Sequence, residues 1–304
     1  PILGPTGAVA IPEFNTRFTR GMLMDTQPKD FNTLVRLSGF SHGTDVWLGN
    51  ARDLILSGTA SVLETVGCRD DIMLYLISMG LDAKMSFKIM EAVRKGKVKK
   101  GGFQDGWREA MEEHQVPQWY IESLEKIGYL FPKAHAVAYV TMAYRIAWFK
   151  VHEPLAFYAT FFSIRAKAFD AAVCTSGLES VKKKIHEIEN NKEATAVEQD
   201  LLVTLEVCYE FYLRGFHFEP INIYESDATK FKVVENGLLP PFASVHGLGE
   251  AAAIDTVEKR KGKRFISIEE FSMCCSKLSK THIEQLKALG AFAGMEETSQ
   301  ITLF

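Results

Sequence analysis

The chain has 304 residues, 47% hydrophobic and 24% charged, and its 35 Lys and Arg against 38 Asp and Glu leave a net charge of −3. That is the composition of a globular protein, so wholesale disorder is excluded. The near-balance excludes a chain that is basic throughout and leaves local basic patches open. No apolar run reaches the roughly 18 residues of a membrane span; the longest, 134–149, is interrupted by His135, Tyr139, Tyr144 and Arg145. The start, Pro1-Ile2-Leu3-Gly4, has no Met and no basic region ahead of an apolar core. It reads as a fragment or a processed start, not a signal peptide. Cys68, Cys174, Cys208, Cys274 and Cys275 show no metal-ligand spacing, which suggests reduced thiols and a cytoplasmic location.

Helical spacing begins after Pro12 with Phe14, Phe18 and Met22, then Phe31, Leu34 and Leu37, for which Asp30 is the expected N-cap. Ser38 to Asp45, with two glycines and several capping residues, reads as a turn. Helices are expected near 69–80, 83–97, 103–114 and 118–130. A long one follows at 133–151, stopping before Pro154. Others are expected near 155–167, 176–191 and 194–213. Near Gly215 the pattern changes: Phe216 to Tyr224 approaches strand alternation, and Lys230 to Val234, Asn236-Gly237 and Leu238-Leu239 form a hairpin signal. Helices return at 249–261, 267–275 and 280–289. The fold class is mainly α, with a small β-ribbon.

Four internal features invite chemistry. In Pro132-Lys133-Ala134-His135-Ala136-Val137-Ala138-Tyr139, Pro132 suits a first helical turn and Lys133 adds charge to a helix end that favours anions. His135 and Tyr139 share one face, so the group would suit a polyphosphate with a base or sugar. The same spacing also fits a core helix with a hydrogen-bonded His. In Gly67-Cys68-Arg69-Asp70-Asp71, Arg69 could clamp a phosphate. Asp70 and Asp71 point roughly 100° apart on a helix and read better as capping carboxylates than as metal ligands. The run Lys84, Lys88, Arg94, Lys95, Lys97, Lys99 and Lys100 holds one acid, Glu91; it is either a solvated face or a phosphate-backbone contact. Lastly, Pro240 to Glu250 carries Gly247-Leu248-Gly249 ahead of an Ala-rich helix, the pattern of a helix-hairpin-helix whose glycines let backbone N–H groups approach a phosphate. Lys277-Leu278-Ser279-Lys280-Thr281 looks like a second, degenerate copy, and a plain helix N-cap is the alternative. At the end, Gln300-Ile301-Thr302-Leu303-Phe304 offers a Gln, a spacer and two apolar anchors, either a groove-docking peptide or a tail with two stray hydrophobes.

Together these blocks, with Gly39-Phe40-Ser41-His42-Gly43-Thr44-Asp45-Val46-Trp47, resemble the C-terminal part of the PolC-type replicative DNA polymerases III (C family) from about Gly7 to Phe304. The resemblance implies helical fingers over 1–152 and a duplex-binding domain over 153–293, with a tandem helix-hairpin-helix at about 240–292. It also implies a tail, 294–304, that binds a sliding clamp. On that reading Arg69, Lys133, His135 and Tyr139 hold the incoming dNTP. Val245, Gly247, Leu248, Gly249 and Lys280 meet primer-template DNA, and Gln300, Ile301, Leu303 and Phe304 enter the clamp. In this family the aspartates that bind two Mg²⁺ ions lie in a palm upstream of the fingers. The implied activity is therefore that of a DNA-directed DNA polymerase, with this chain inactive alone. The rival reading is a stand-alone, non-sequence-specific helix-hairpin-helix module, which has no need of the Lys133–Tyr139 block.

Overall fold

The computed structural model describes residues 2–298. It is 58% helical, with sixteen α-helices and a three-stranded sheet among those residues. None of these helices is long and apolar enough to cross a membrane. The chain divides into two compact units, Gly4–Ala147 and Trp148 onward, the latter joined by the first few residues.

The first unit opens with α1 (Arg17–Thr26) and α2 (Phe31–His42). The Asp30 carboxylate accepts the Thr33 N–H at 2.8 Å, the cap expected from the sequence. The turn expected over Ser38–Asp45 is corrected: Ser38 to His42 are the last residues of α2, and the chain leaves the helix at Gly43. Gly39 serves close packing instead, since a Cβ built there would lie 2.4 Å from the Gly67 carbonyl oxygen. Next come α3 (Arg52–Leu56), α4 (Arg69–Ser78), α5 (Ala83–Arg94), α6 (Lys97–Gly101), α7 (Trp107–Glu113), α8 (Gln118–Lys126) and α9 (Lys133–His152), and the division between units falls within α9. The helix expected through Lys97 breaks into α5 and α6 at Gly96, whose left-handed backbone rests on Gly128. Phe40, Leu37, Ile72, Leu76, Ile89, Met111, Tyr120, Ala136 and Val140 fill the core. Of α9, residues 136, 140, 143 and 150 are buried and most of the others are exposed. That narrow buried stripe leaves its N-terminal turn accessible.

In the second unit, α10 (Pro154–Thr160) passes into a wider π turn, Phe161–Arg165, that buries both Phe161 and Phe162. The remaining helices are α11 (Ala171–Cys174), α12 (Leu178–Asn190), α13 (Ala196–Leu213), α14 (Glu250–Arg260), α15 (Ile268–Cys274) and α16 (Lys280–Ala288). Between α13 and α14 lie β1 (His217–Phe218), β2 (Lys232–Val234) and β3 (Gly237–Leu239), in the order β1-β3-β2. β1 runs parallel to β3 and β2 antiparallel to it. The alternation read over Phe216–Tyr224 yields only two paired residues, because Pro220 has no N–H to continue the ladder. The hairpin turn is Glu235-Asn236, with Asn236 at φ 55°; Gly237 already pairs with Val234. A Cβ there would come within 2.5 Å of the His217 carbonyl oxygen, so this glycine serves the parallel neighbour and not the turn. Tyr158, Phe162, Phe211, Phe218 and Phe231 pack ring against ring at one end of the unit's core. Phe242, Ala253, Phe271, Ile283, Leu286 and Phe292 form a second cluster beneath α14–α16.

Candidate nucleic-acid interface

In the first unit the segment before α4 bridges the segment before α9: Cys68 pairs with Phe131, and the Arg69 N–H donates to the Phe131 carbonyl oxygen at 3.3 Å. Two helix N-termini are thereby set side by side. Asp71 accepts from the N–H groups of Gly67 (3.1 Å) and Cys68 (2.7 Å), caps α4 and meets Arg36 Nη1 at 2.6 Å. Asp70 accepts the Lys133 N–H at 3.0 Å and so caps α9. Both acids are capping carboxylates, as their positions suggest. Asp71 is 9% exposed and its oxygens are committed to N–H donors and cations. A pair engaged in this way does not fit the oxygen-rich coordination of Mg²⁺.

Arg69 and Lys133 therefore share one patch. Arg69 Nε lies 3.9 Å from Asp70 Oδ2, and Lys133 Nζ lies 3.4 Å from Asp71 Oδ1. The anion site expected at the start of α9 already has a carboxylate of the chain itself beside it. His135 and Tyr139 flank the Phe131 ring, at 6.0 and 6.3 Å between centroids. Against the same ring stacks His42, 4.6 Å away with planes 27° apart. His42 Nε2 meets Glu13 Oε2 at 2.6 Å, and the Ser38 hydroxyl donates to that oxygen at 3.3 Å. The four expected residues thus come together, with His42 and Phe131 added. His42 stands in a block quoted above and Phe131 directly precedes another, but only folding shows that their rings meet. Two cations with exposed ring faces can hold a polyphosphate and its base or sugar. Nearby, Cys68 is unreactive at neutral pH, since burial pushes its thiol up to about 12.

Of the basic run, Arg94 and Lys95 pair with Glu91, and Lys99 Nζ reaches Asp45 at 2.6 Å. Hydrogen bonds from Arg94 and Lys95 pull the Glu91 carboxyl down to about 2. Lys84, Lys88, Lys97 and Lys100 are exposed and make no ion pair among the described residues.

In the second unit the expected tandem hairpin is present and its copies superpose in sequence. Leu248 N–H donates to the Val245 carbonyl at 3.0 Å, and Leu278 N–H to the Cys275 carbonyl at 2.9 Å. Val245, Leu248, Cys275 and Leu278 are all buried. The side chains of Val245 and Leu248 anchor the hairpin in the core, so the contact expected of these residues falls to the hairpin backbone. Gly247 is left-handed (φ 75°), and Gly249 caps α14 without any side-chain hydrogen bond. A Cβ on Gly249 would meet nothing within 4 Å, so the α14 N-terminus is open to a ligand. In the second copy Lys277 and Ser279 replace the two glycines. Ser279 Oγ accepts the His282 N–H at 3.2 Å, and Lys277 is held by Asp255 at 3.1 Å. Lys280 is exposed. Gln300, Ile301, Leu303 and Phe304 lie outside the described residues.

Residues 2–115 match the family of bacterial DNA polymerase III alpha subunit finger domains, and residues 215–301 match the helix-hairpin-helix motif. The chain is 52% identical over 99% of its length to DNA polymerase III PolC-type of Caldanaerobacter subterraneus. It is 50% identical over 99% to that of Streptococcus suis, and 49% identical over its whole length to that of Halalkalibacterium halodurans. In each case it spans 21% of the relative. The chain is thus similar to a bacterial DNA polymerase III finger domain over its first part and to a helix-hairpin-helix near its end, and it spans about a fifth of the length of the PolC-type polymerases it matches.

Proposed function

We propose that this stretch supplies the fingers and the duplex grip of a replicative DNA-directed DNA polymerase. The observation that carries the reading is the joined start of α4 and α9. Arg69 and Lys133 stand beside a ring cluster of Phe131, His135, Tyr139 and His42; of these, Arg69 and His42 lie in the stretch that matches polymerase fingers, and the others follow it in the same compact unit. In this role the two cations bind the triphosphate of an incoming dNTP. The rings bear on its base or sugar, and the carboxylates of Asp70 and Asp71 hold both helix starts in place.

The first hairpin takes a phosphate of the primer-template duplex on backbone N–H groups, which gives grip without sequence choice. Gln300 to Phe304 tether the protein to a sliding clamp and raise its effective concentration at the primer end. Phosphoryl transfer by two Mg²⁺ ions requires an acidic cluster, which Asp70 and Asp71 do not provide. It is assigned to the rest of the longer protein, and this chain alone is proposed to be inactive. A stand-alone DNA-binding module leaves the Arg69–Lys133 patch without a purpose.

The test is primer-template binding by the chain, with and without dNTP, across a salt series, beside primer extension. Salt-sensitive duplex binding without extension supports the reading. Extension by the chain alone would return Asp70 and Asp71 to consideration, and no binding at any salt would remove the hairpin assignment.

A further inference from the structure

The two hairpins are not equivalent, and one residue of the second faces the first. His282 is the third residue of α16 and closes a capping box there: its Nδ1 accepts the Ser279 N–H at 3.2 Å, while its own N–H donates to Ser279 Oγ at 3.2 Å. An Nδ1 that accepts a hydrogen bond carries no hydrogen, so the ring hydrogen sits on Nε2. That Nε2 lies 3.8 Å from where a Cβ on Gly247 would stand. The imidazole therefore presents an N–H donor to the hairpin whose own helix start has no side-chain cap. His246, the hairpin's own imidazole, is turned elsewhere, with Nδ1 3.4 Å from Asp170 Oδ2. The second helix start is closed by Ser279 and cannot offer the same N–H groups to a ligand.

We propose that His282 is a positioning residue for DNA. It donates through Nε2–H to the backbone phosphate held at Gly247–Gly249, so that the second hairpin serves the first hairpin's phosphate and takes none on the backbone N–H groups of its own helix start. The proposal rests on the duplex-binding reading above. It assigns the tandem copy a task that the glycine pattern alone does not: a donor to a shared phosphate, fixed in tautomer and direction by the capping box.

The experiment uses the full chain and a short DNA duplex, with binding followed by fluorescence anisotropy and folding by thermal melting. His282→Glu keeps both arms of the capping box, since Glu at that position also accepts the N-cap N–H, but turns a carboxylate toward the phosphate. Expected is an unchanged melting midpoint with affinity lowered about tenfold or more. His282→Gln retains an acceptor and a donor and is expected within about threefold of the parent chain. His282→Ala is expected to weaken binding about three- to tenfold, with the slope of log affinity against log salt unchanged, because a neutral donor displaces no counterion. A His282→Glu variant that melts and binds like the parent overturns the proposal and leaves the duplex reading intact. A parent chain that binds no duplex at any salt overturns both.

Discussion

Lys150 Nζ lies 2.7 Å from Glu210 Oε1, and both side chains are nearly inaccessible, at 8% and 11%. The Tyr158 hydroxyl donates to the same oxygen at 2.6 Å, and Arg214 Nη1 donates to the Tyr158 hydroxyl and to the Lys150 carbonyl oxygen. The end of α9 is thus fastened to α13 by a buried polar network. Glu210→Gln takes away the carboxylate that meets the buried Lys150 ammonium and the Tyr158 hydroxyl and is expected to cost about 3–5 kcal/mol. The double variant Lys150→Met with Glu210→Leu should recover much of that loss. Chemical denaturation of the parent chain and the two variants checks both statements.

The same network sets an alkaline limit. Burial, reinforced by Glu210, raises the Tyr158 phenol well above its ordinary value. A group whose folded-state value is raised gives stability in full below the unfolded value and loses it as pH rises beyond. The second unit should therefore lose stability above about pH 10, and Tyr158→Phe should flatten that decline. Melting midpoints between pH 8 and pH 11 decide it.

At the joined helix starts, Lys133→Ala and Arg69→Ala should each weaken retention of a triphosphate by about ten- to a hundredfold, the worth of a charge-assisted contact. Duplex binding measured without nucleotide should stay near the parent value, because neither residue belongs to the hairpin unit. Filter binding of labelled dNTP on a primer-template, beside anisotropy of the duplex alone, separates the two. Equal loss in both assays would count against a nucleotide role.

Gly39→Ala tests a point at which local reading failed. Ala is the better helix former by about 1 kcal/mol, so a solvent-facing site would gain stability. Here the added methyl would meet the backbone of Gly67, and a loss of about 1–3 kcal/mol is expected from overpacking. Urea titration gives the sign directly. The case shows what was legible. Asp30 as a cap, the Pro132 helix start and the hairpin glycines act on neighbours a few residues away, so their residue types suffice. Gly39 answers to Gly67, Lys133 to Asp70, and Phe131 to His42. Those partners are dozens of residues distant and chosen only by packing. Arg69, Lys133, His135 and Tyr139 could thus be picked out by residue type and by resemblance, while their carboxylate neighbours and the two added rings could not.

The hairpin makes the sharpest division between anchoring and contact. Leu248 is buried beside Phe242 and Ala253 in the cluster under α14–α16, so Leu248→Ala should cost about 2–4 kcal/mol by leaving a cavity. Lys280 is exposed at the first position of α16 and makes no ion pair among the described residues. Lys280→Ala should leave the melting midpoint unmoved, weaken duplex binding about equally for all sequences, and lower the salt slope by about one unit. Were Lys280→Ala instead to destabilise the fold or to spare binding, the second hairpin would not lie along the DNA backbone. A slope reduced without loss of stability would place its ammonium at a phosphate.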